Sequence, residues 1–187
     1  MRTPYAEVLG ILYFLSEVIL ALAKRSKGGS VSRDRGSLAL LWAVILVCIG
    51  LANAAFVLVP QADSALLHRL RWLGVALFAG GLALRWYSII HLGRFFTVDV
   101  AISAGQVVVD TGPYRLVRHP SYAGALAAFL GLGICSENWL SLGVLVVPVA
   151  AAFLRRVAVE EAALVEALGD RYRGYAARTR RLIPWVY

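Results

Sequence analysis

Two groups of polar residues in the second half of this chain have the types and spacing to do chemistry. Residues 118–124 read Arg-His-Pro-Ser-Tyr-Ala-Gly, and Arg156 and Glu160 follow after an apolar stretch long enough for a pair of membrane helices. Proline suits the first turn of a helix, so a helix is predicted to begin at Pro120. The free N–H groups at a helix start favour a carboxylate or a phosphate. The alternative is a capped membrane helix with an interfacial His119 and Tyr122.

Arg156 and Glu160 lie four residues apart, so they share one helix face and could serve one site. An arginine presents a planar fork to a carboxylate or phosphate, and a glutamate accepts hydrogen bonds from hydroxyls or an amine. This pair therefore favours recognition of a small polar or charged ligand. An intrahelical ion pair with snorkelling arginines is the structural alternative.

The elements that must position these residues are membrane helices. Of the 187 residues, 60% are hydrophobic and 16% are charged, which lies well beyond the composition of a soluble globular domain. The sequence therefore predicts an all-α, polytopic integral membrane protein. We expect a single membrane domain over residues 1–187, with three helices in residues 1–90 and the polar groups in residues 91–187.

The apolar runs predict about five transmembrane helices. Their predicted limits are Tyr5–Ala23, 38–59, 72–90, Pro120–Cys135 and 139–154. The tight turn at 136–138 is predicted to join the last two as a helical hairpin. Residues 91–119 are expected to form an ordered loop.

The distribution of charge predicts an orientation. Lys and Arg residues are concentrated in the first loop, in residues 91–119 and after Leu154, so the N-terminus is predicted outside and the C-terminus and polar site in the cytoplasm. The short first loop is prokaryotic in style, which favours an inner membrane. The net charge of +8 is explained by this topology, and we expect no nucleic-acid partner. The spacing of the three histidines gathers no metal ligands, so no metal is expected either.

Further short motifs accompany the two polar groups across residues 91–187. In chain order they are Gly112-Pro113-Tyr114, the 118–124 segment, Glu160-Glu161, residues 168–172 with Tyr175, and residues 181–184. Together they resemble the isoprenylcysteine carboxyl methyltransferase family, which is related to the phospholipid methyltransferases. The resemblance implies a membrane methyltransferase that uses S-adenosyl-L-methionine, held by the C-terminal half at the cytoplasmic face.

The resemblance also implies which positions bind. The cofactor contacts carried over from the family motifs are Gln106, Val107, Val108, Val109, Tyr114, His119, Pro120, Ser121, Tyr122 and Glu160. Arg156 falls at a substrate contact of the family, and Arg156 and Glu160 are expected to be the catalytic residues. Asp99 falls where the family has a further cofactor contact.

The identity of the methyl acceptor stays open in the sequence. A carboxylate is already ionised near neutral pH, so positioning by Arg156 would dominate, whereas an amine must lose a proton to a base such as Glu160 or His119. We expect a hydrophobic or lipid-like acceptor, most simply a carboxylate. The alternatives are a phospholipid N-methyltransferase, an NADPH-dependent enzyme like the sterol reductases, and a non-catalytic membrane protein.

Glu17 and Arg85 are charged residues inside predicted spans. Each lies about six residues, or about 9 Å, from the cytoplasmic end of its helix. A charge within a span is rare without a partner, so the sequence predicts either a Glu17–Arg85 contact or a polar lining of the substrate entrance.

Overall fold

The structure is a computed structural model, and it describes residues 5–23, 31–32, 34, 36–102 and 105–186. Seven helices and two short strands follow one another along these residues. They are α1 (Tyr5–Ala23), β1 (Val31–Ser32), α2 (Ser37–Leu58), α3 (Ala65–Arg69), α4 (Arg71–Leu92), β2 (Ala101–Ile102), α5 (Pro120–Cys135), α6 (Trp139–Leu168) and α7 (Asp170–Arg178). Single 3₁₀ turns occur at Pro60–Ala62, Gly93–Phe95 and Gly112–Arg115.

Four of the helices, α1, α2, α4 and α6, are long and apolar enough to cross a membrane, and α5 is a shorter apolar helix of 16 residues. The predicted all-α, polytopic membrane architecture is confirmed, with the two-residue strands as a small addition. The predicted limits of the first four spans agree with the helices to within two residues. The fifth predicted span, 139–154, is only the apolar part of a longer helix, α6, which ends at Leu168.

The length of α6 carries its polar residues beyond the apolar layer. Its 30 residues span about 45 Å at about 1.5 Å per residue, and a bilayer core is about 30 Å thick. Arg156 and Glu160 lie in the second half of the helix, on the stretch that follows the apolar residues. One continuous helix therefore connects the membrane core to the polar site.

Successive membrane-spanning helices along the chain alternate in direction, which gives the bundle two ends. The ends of α1 and α4 meet the starts of α2 and α5 at one end, which we call the site end. At the opposite end, Asn138 caps α6 by accepting a 3.0 Å hydrogen bond from the Ser141 N–H, and its amide donates to the Val59 carbonyl and the Asp63 carboxylate. The predicted hairpin between α5 and α6 is therefore confirmed, and its turn is fastened to the end of α2.

Glycines allow α4 and α5 to lie very close together. A Cβ atom at Gly81 would lie 2.5 Å from the Gly124 carbonyl oxygen, and one at Gly131 would lie 2.4 Å from the Gly74 carbonyl oxygen. Small residues at membrane-helix interfaces permit backbones to approach in this way. Around this pair a core forms with members from α1, α2 and α6, including Tyr13, Ile45, Val149 and Phe153.

The predicted contact between Glu17 and Arg85 is confirmed. Arg85 donates from Nε and Nη2 to the two carboxylate oxygens of Glu17, at 2.7 and 2.8 Å, and both side chains are buried. Its Nη1 also donates to the Ser121 carbonyl at 3.4 Å. This bidentate ion pair connects α1 and α4 to the first turn of α5.

The segment before α2 reaches across the site end to the segment after α4. Val31 pairs with Ile102 and Ser32 with Ala101 in an antiparallel ladder. This pairing places Asp34, two residues further on, beside the long polar part of α6.

Candidate active site

The polar residues of the site end surround one cavity. Its wall is formed by residues of the loop after α4, the start of α5, the second half of α6, and α7. The residues around it include Phe95, Phe96, Asp99, Gln106, Val107, Val108, Val109, Tyr114, Arg118, His119, Ser121, Tyr122, Arg156, Glu160, Leu164, Tyr172 and Tyr175.

The start of α5 is held in place by the C-terminal tail. The backbone N–H groups of Arg118 and His119 donate to the carbonyls of Arg180 and Arg181, at 2.7 and 3.0 Å. The backbone of His119 has non-helical angles, as expected before a proline. Its ring stacks on that of Tyr122, with centroids 5.6 Å apart and planes inclined by 9°. These contacts fix two aromatic faces at the cavity wall.

The two adjacent glutamates of α6 have different surroundings. Glu161 accepts hydrogen bonds from Arg118 at 2.7 Å and Arg181 at 3.0 Å, and lies 3.2 Å from Nε2 of His119. Glu160 lines the cavity, and its buried Oε2 atom has no hydrogen-bond partner among the described residues. Nδ1 of His119 lies 3.7 Å from this Oε2 atom, which is longer than a hydrogen bond. Glu161 therefore holds the C-terminal tail, and the Oε2 atom of Glu160 is available to a ligand.

The guanidinium of Arg156 is almost fully buried and has several protein partners. Nε donates to the Tyr122 hydroxyl at 3.1 Å, and Nη1 donates to Asp34 at 2.7 Å and to the Ser37 hydroxyl at 2.9 Å. Nη2 donates to the carbonyl of Val98. Because these partners come from the start of α2, the loop after α4 and α5, Arg156 connects three parts of the site end.

Asp34 is ionised in this arrangement. Burial opposes its ionisation, but hydrogen bonds from the Leu38 N–H, from Arg156 and from Ser37 outweigh burial and hold the pKa of the Asp34 carboxyl below its ordinary value. The Arg156–Asp34 contact is therefore a charged pair at neutral pH.

Tyrosines complete the wall opposite α5. The Tyr114 hydroxyl donates to the Ser88 carbonyl at 3.3 Å, and the Tyr175 hydroxyl donates to the Tyr114 carbonyl at 2.7 Å. The buried hydroxyl of Tyr172 has no hydrogen-bond partner among the residues that the structure describes. Burial, then the charges of Glu161 and Glu160, raises the pKa of the Tyr172 phenol, so this hydroxyl is neutral and can donate.

Most of the residues expected to bind cofactor or substrate lie around this one cavity. Pro120 is the exception, because it is fully buried as the first residue of α5 and does not line the cavity. Two residues of the site were not predicted from the sequence. Tyr172 stood in one of the motifs without an assigned role, and Asp34 stood in the first loop with no local signal.

A second, smaller cavity adjoins the first and shares Phe96, Thr97, Tyr122 and Arg156 with it. Apolar residues of α1, α2 and α6 contribute to its wall, and the Glu17–Arg85 pair lines it as well. Among the apolar residues are Tyr13, Leu41, Trp42, Ile45 and Phe153. Arg156 therefore lines both cavities.

The family of this chain follows from its sequence over α4, α5 and α6. The sequence model of the family described as phospholipid methyltransferase matches residues 70–171, more than half of the chain. The chain belongs to the phospholipid methyltransferase family. The matched stretch holds the start of α5, Arg156 and both glutamates.

Individual methyltransferases also have sequences similar to this chain. Protein-S-isoprenylcysteine O-methyltransferase B of Arabidopsis thaliana is 32% identical over 115 residues, which cover 60% of this chain and 58% of the relative. Methanethiol S-methyltransferase 1 of Bradyrhizobium diazoefficiens is 36% identical over 72 residues, which cover 38% of this chain and 24% of the relative. The resemblance to the isoprenylcysteine carboxyl methyltransferases is thereby confirmed.

A solved structure shares the fold of this phospholipid methyltransferase family member. It is the eukaryotic intramembrane Ras methyltransferase, isoprenylcysteine carboxyl methyltransferase, with a TM-score of 0.63 and 25% sequence identity. The match covers 77% of this chain and 52% of that chain. The matches thus span little more than half the length of the Arabidopsis relative and of this solved structure, and about a quarter of the length of the Bradyrhizobium relative.

Proposed function

We propose that this protein is a membrane methyltransferase that transfers a methyl group from S-adenosyl-L-methionine to a hydrophobic acceptor, with a carboxylate as the receiving group. The observation that carries the proposal is the contrast within the Glu160–Glu161 pair. Glu161 is engaged by Arg118 and Arg181, whereas Glu160 presents an unpartnered buried oxygen to the cavity. The family resemblance assigns a cofactor contact to the first glutamate of this pair.

The residues around the larger cavity fit such a cofactor. The loop residues Gln106 to Val109 offer backbone donors and acceptors beside apolar side chains, which suits a purine ring. The Glu160 carboxylate can accept from a ribose hydroxyl or an ammonium group. Tyr114, His119, Ser121 and Tyr122 complete the set that would hold the cofactor, and Pro120 would act by starting α5. When bound, the cofactor supplies an electrophilic methyl group on a sulfonium.

The acceptor is inferred from Arg156 and from the smaller cavity beside it, whose wall includes apolar residues of α1, α2 and α6. A carboxylate is ionised near neutral pH and needs no base, so the protein has only to orient it and exclude water. Arg156 supplies a buried fork for this purpose, and the smaller cavity would take an apolar chain. The relatives named for isoprenylcysteine support a prenylated or similar lipid-like acceptor.

Binding of an acceptor carboxylate to Arg156 has a structural requirement. Nη1 already donates to Asp34 and Ser37, so the incoming carboxylate must displace Asp34 or share the guanidinium with it. Asp34 then serves as the internal counter-ion that keeps Arg156 oriented before the acceptor arrives.

The first experiment tests the cofactor. Detergent-purified protein is titrated calorimetrically with S-adenosylhomocysteine, and NADPH is titrated in parallel. We expect S-adenosylhomocysteine to bind and Glu160→Gln to weaken it about tenfold, as loss of one hydrogen bond to a charged group does. Glu166→Gln is the matched control, because Glu166 is exposed on the same helix. Binding of NADPH alone would exclude the methyltransferase and favour the reductase.

The second experiment tests the acceptor. The purified protein is given methyl-labelled S-adenosyl-L-methionine with either N-acetyl-S-farnesylcysteine or phosphatidylethanolamine. We expect label in a base-labile methyl ester of the first compound. Label in the phospholipid amine alone would replace the carboxylate by an amine as the acceptor.

We further propose that the site end faces the cytoplasm of a prokaryotic cell. The positive-inside bias of the loops supports this orientation. His68 and Asp170 are exposed near opposite ends of the bundle, and both native cysteines are buried. In intact cells, a membrane-impermeant thiol reagent should label a His68→Cys variant, and an Asp170→Cys variant only after permeabilisation. The reverse pattern would overturn the orientation.

A further inference from the structure

Two neighbouring tyrosines of α7 differ in one respect. Tyr172 and Tyr175 are each 4% exposed, and their rings meet edge to face with centroids 5.9 Å apart. The Tyr175 hydroxyl donates to the Tyr114 carbonyl at 2.7 Å. The Tyr172 hydroxyl has no hydrogen-bond partner among the described residues, although it is equally buried. A buried hydroxyl without a partner is unfavourable, and a ligand that bonds to it would remove this cost.

The orphan hydroxyl of Tyr172 shares its cavity with the orphan oxygen of Glu160. These are the two buried side-chain polar atoms without a partner in the part of the chain that the structure describes. Their needs are complementary, because a carboxylate oxygen can accept a hydrogen bond and a phenol can donate one. A ligand that satisfies both must present a donor beside an acceptor.

Other contacts already hold α7 in place. Tyr175 is bonded to Tyr114, and Nη1 of Arg118 donates to the carbonyls of Ala176 and Thr179 at 2.9 and 2.6 Å. The Tyr172 ring adds packing to this arrangement, but its hydroxyl adds no bond to the described residues. The hydroxyl is therefore separable from the stability of the helix.

We propose that Tyr172 is a further cofactor-binding residue, whose hydroxyl acts together with the Glu160 carboxylate on a polar end of the cofactor. This inference rests on the proposed function and deepens it. Two parts of S-adenosyl-L-methionine present a donor beside an acceptor: the adjacent hydroxyls of its ribose, and its amino-acid end with an ammonium and a carboxylate.

The test compares Tyr172→Phe with Tyr175→Phe, since each variant removes one oxygen atom from an equally buried ring. Thermal melting without ligand and calorimetric titration with S-adenosylhomocysteine are measured for both. We expect Tyr172→Phe to melt at or above the wild-type temperature and to bind S-adenosylhomocysteine about tenfold more weakly. Tyr175→Phe should melt at a lower temperature, because it leaves the Tyr114 carbonyl without its donor.

The outcomes separate this inference from the proposed function. A wild-type protein that fails to bind S-adenosylhomocysteine would overturn both, whereas wild-type binding with unchanged affinity in Tyr172→Phe would overturn only the role of Tyr172. A second titration uses 5′-methylthioadenosine, which keeps the ribose and lacks the amino-acid end. An equal loss for both ligands assigns the hydroxyl to the ribose, and a loss confined to S-adenosylhomocysteine assigns it to the amino-acid end.

Discussion

The guanidinium of Arg156 shows how one residue can organise a site. It is 2% exposed and reaches Tyr122, Asp34, Ser37 and the Val98 carbonyl. A fork of five donors in fixed directions can serve partners on several elements at once, which a lysine ammonium cannot. Arg156 therefore orders the site before any ligand binds, in addition to its proposed contact with the acceptor.

Replacing Arg156 by lysine should show whether the hydrogen bonds of the guanidinium matter beyond its positive charge. The charge remains, but the ammonium cannot reach all of the partners, so we expect methyl transfer to fall at least about tenfold with a raised KM for the acceptor. Binding of S-adenosylhomocysteine should change by less than about threefold, because Glu160 is retained. Arg155→Lys is the control, since Arg155 is the exposed neighbour on the same helix. A fully active Arg156→Lys enzyme would show that methyl transfer does not require the planar guanidinium of Arg156.

At the scale of elements, the contact between α4 and α5 sets the geometry of the site. Gly81 and Gly124 let the two backbones approach, and a Cβ at Gly124 would lie 2.7 Å from the Arg85 backbone nitrogen. The same contact brings Arg85 within reach of the Ser121 carbonyl in the first turn of α5. A wider spacing of these helices would therefore shift the start of α5, where His119 and Tyr122 meet the cavity.

Two adjacent glycines of α4 offer a matched test. A Cβ at Gly81 would lie 2.5 Å from the Gly124 carbonyl, whereas a Cβ at Gly80 would meet nothing within 4 Å. We expect Gly81→Ala to lower the free energy of unfolding by about 1–3 kcal/mol, as overpacking does. Gly80→Ala should be neutral or stabilising by up to about 1 kcal/mol. Thermal melting in one detergent compares them, and equal melting temperatures would show that the helices can separate without cost.

At the scale of the whole molecule, the Glu17–Arg85 pair connects helices that are distant in the chain. Both side chains are 8% exposed within the membrane-spanning part of the bundle. A buried pair contributes little net stability against apolar residues, but removing one partner leaves an uncompensated charge. The pair therefore makes the docking of α1 depend on α4, and so on the core behind the site.

Glu17→Gln should lower the free energy of unfolding by about 3–5 kcal/mol, because the Arg85 charge is then buried without its counter-ion. Glu7→Gln is the control on the same helix, since Glu7 is exposed. The double variant Glu17→Met with Arg85→Met should recover much of the loss, because neither charge remains. Melting of the three variants in detergent checks this, and a Glu17→Gln protein as stable as the wild type would refute the buried pair.

The sequence alone determined the apolar membrane-spanning segments and their order. The thickness of a bilayer requires about 20 apolar residues per crossing, so hydropathy located the spans within a few residues. Pro120 marked the start of α5, and the rarity of unpaired charges in a span led to the Glu17–Arg85 contact. These features depend on local chemistry or on the membrane as solvent, and both can be inferred from the sequence without knowledge of the fold.

The tertiary structure alone decided which partners the polar residues meet. Adjacent helical positions point about 100° apart, so the rotation of α6 within the bundle determines that Glu160 faces the cavity and Glu161 faces Arg118. Asp34 reaches Arg156 across most of the chain, and Tyr172 reaches the cavity only because Gly169 ends α6 and turns α7 back. No local pattern encodes such contacts, because they arise from the packing of whole elements.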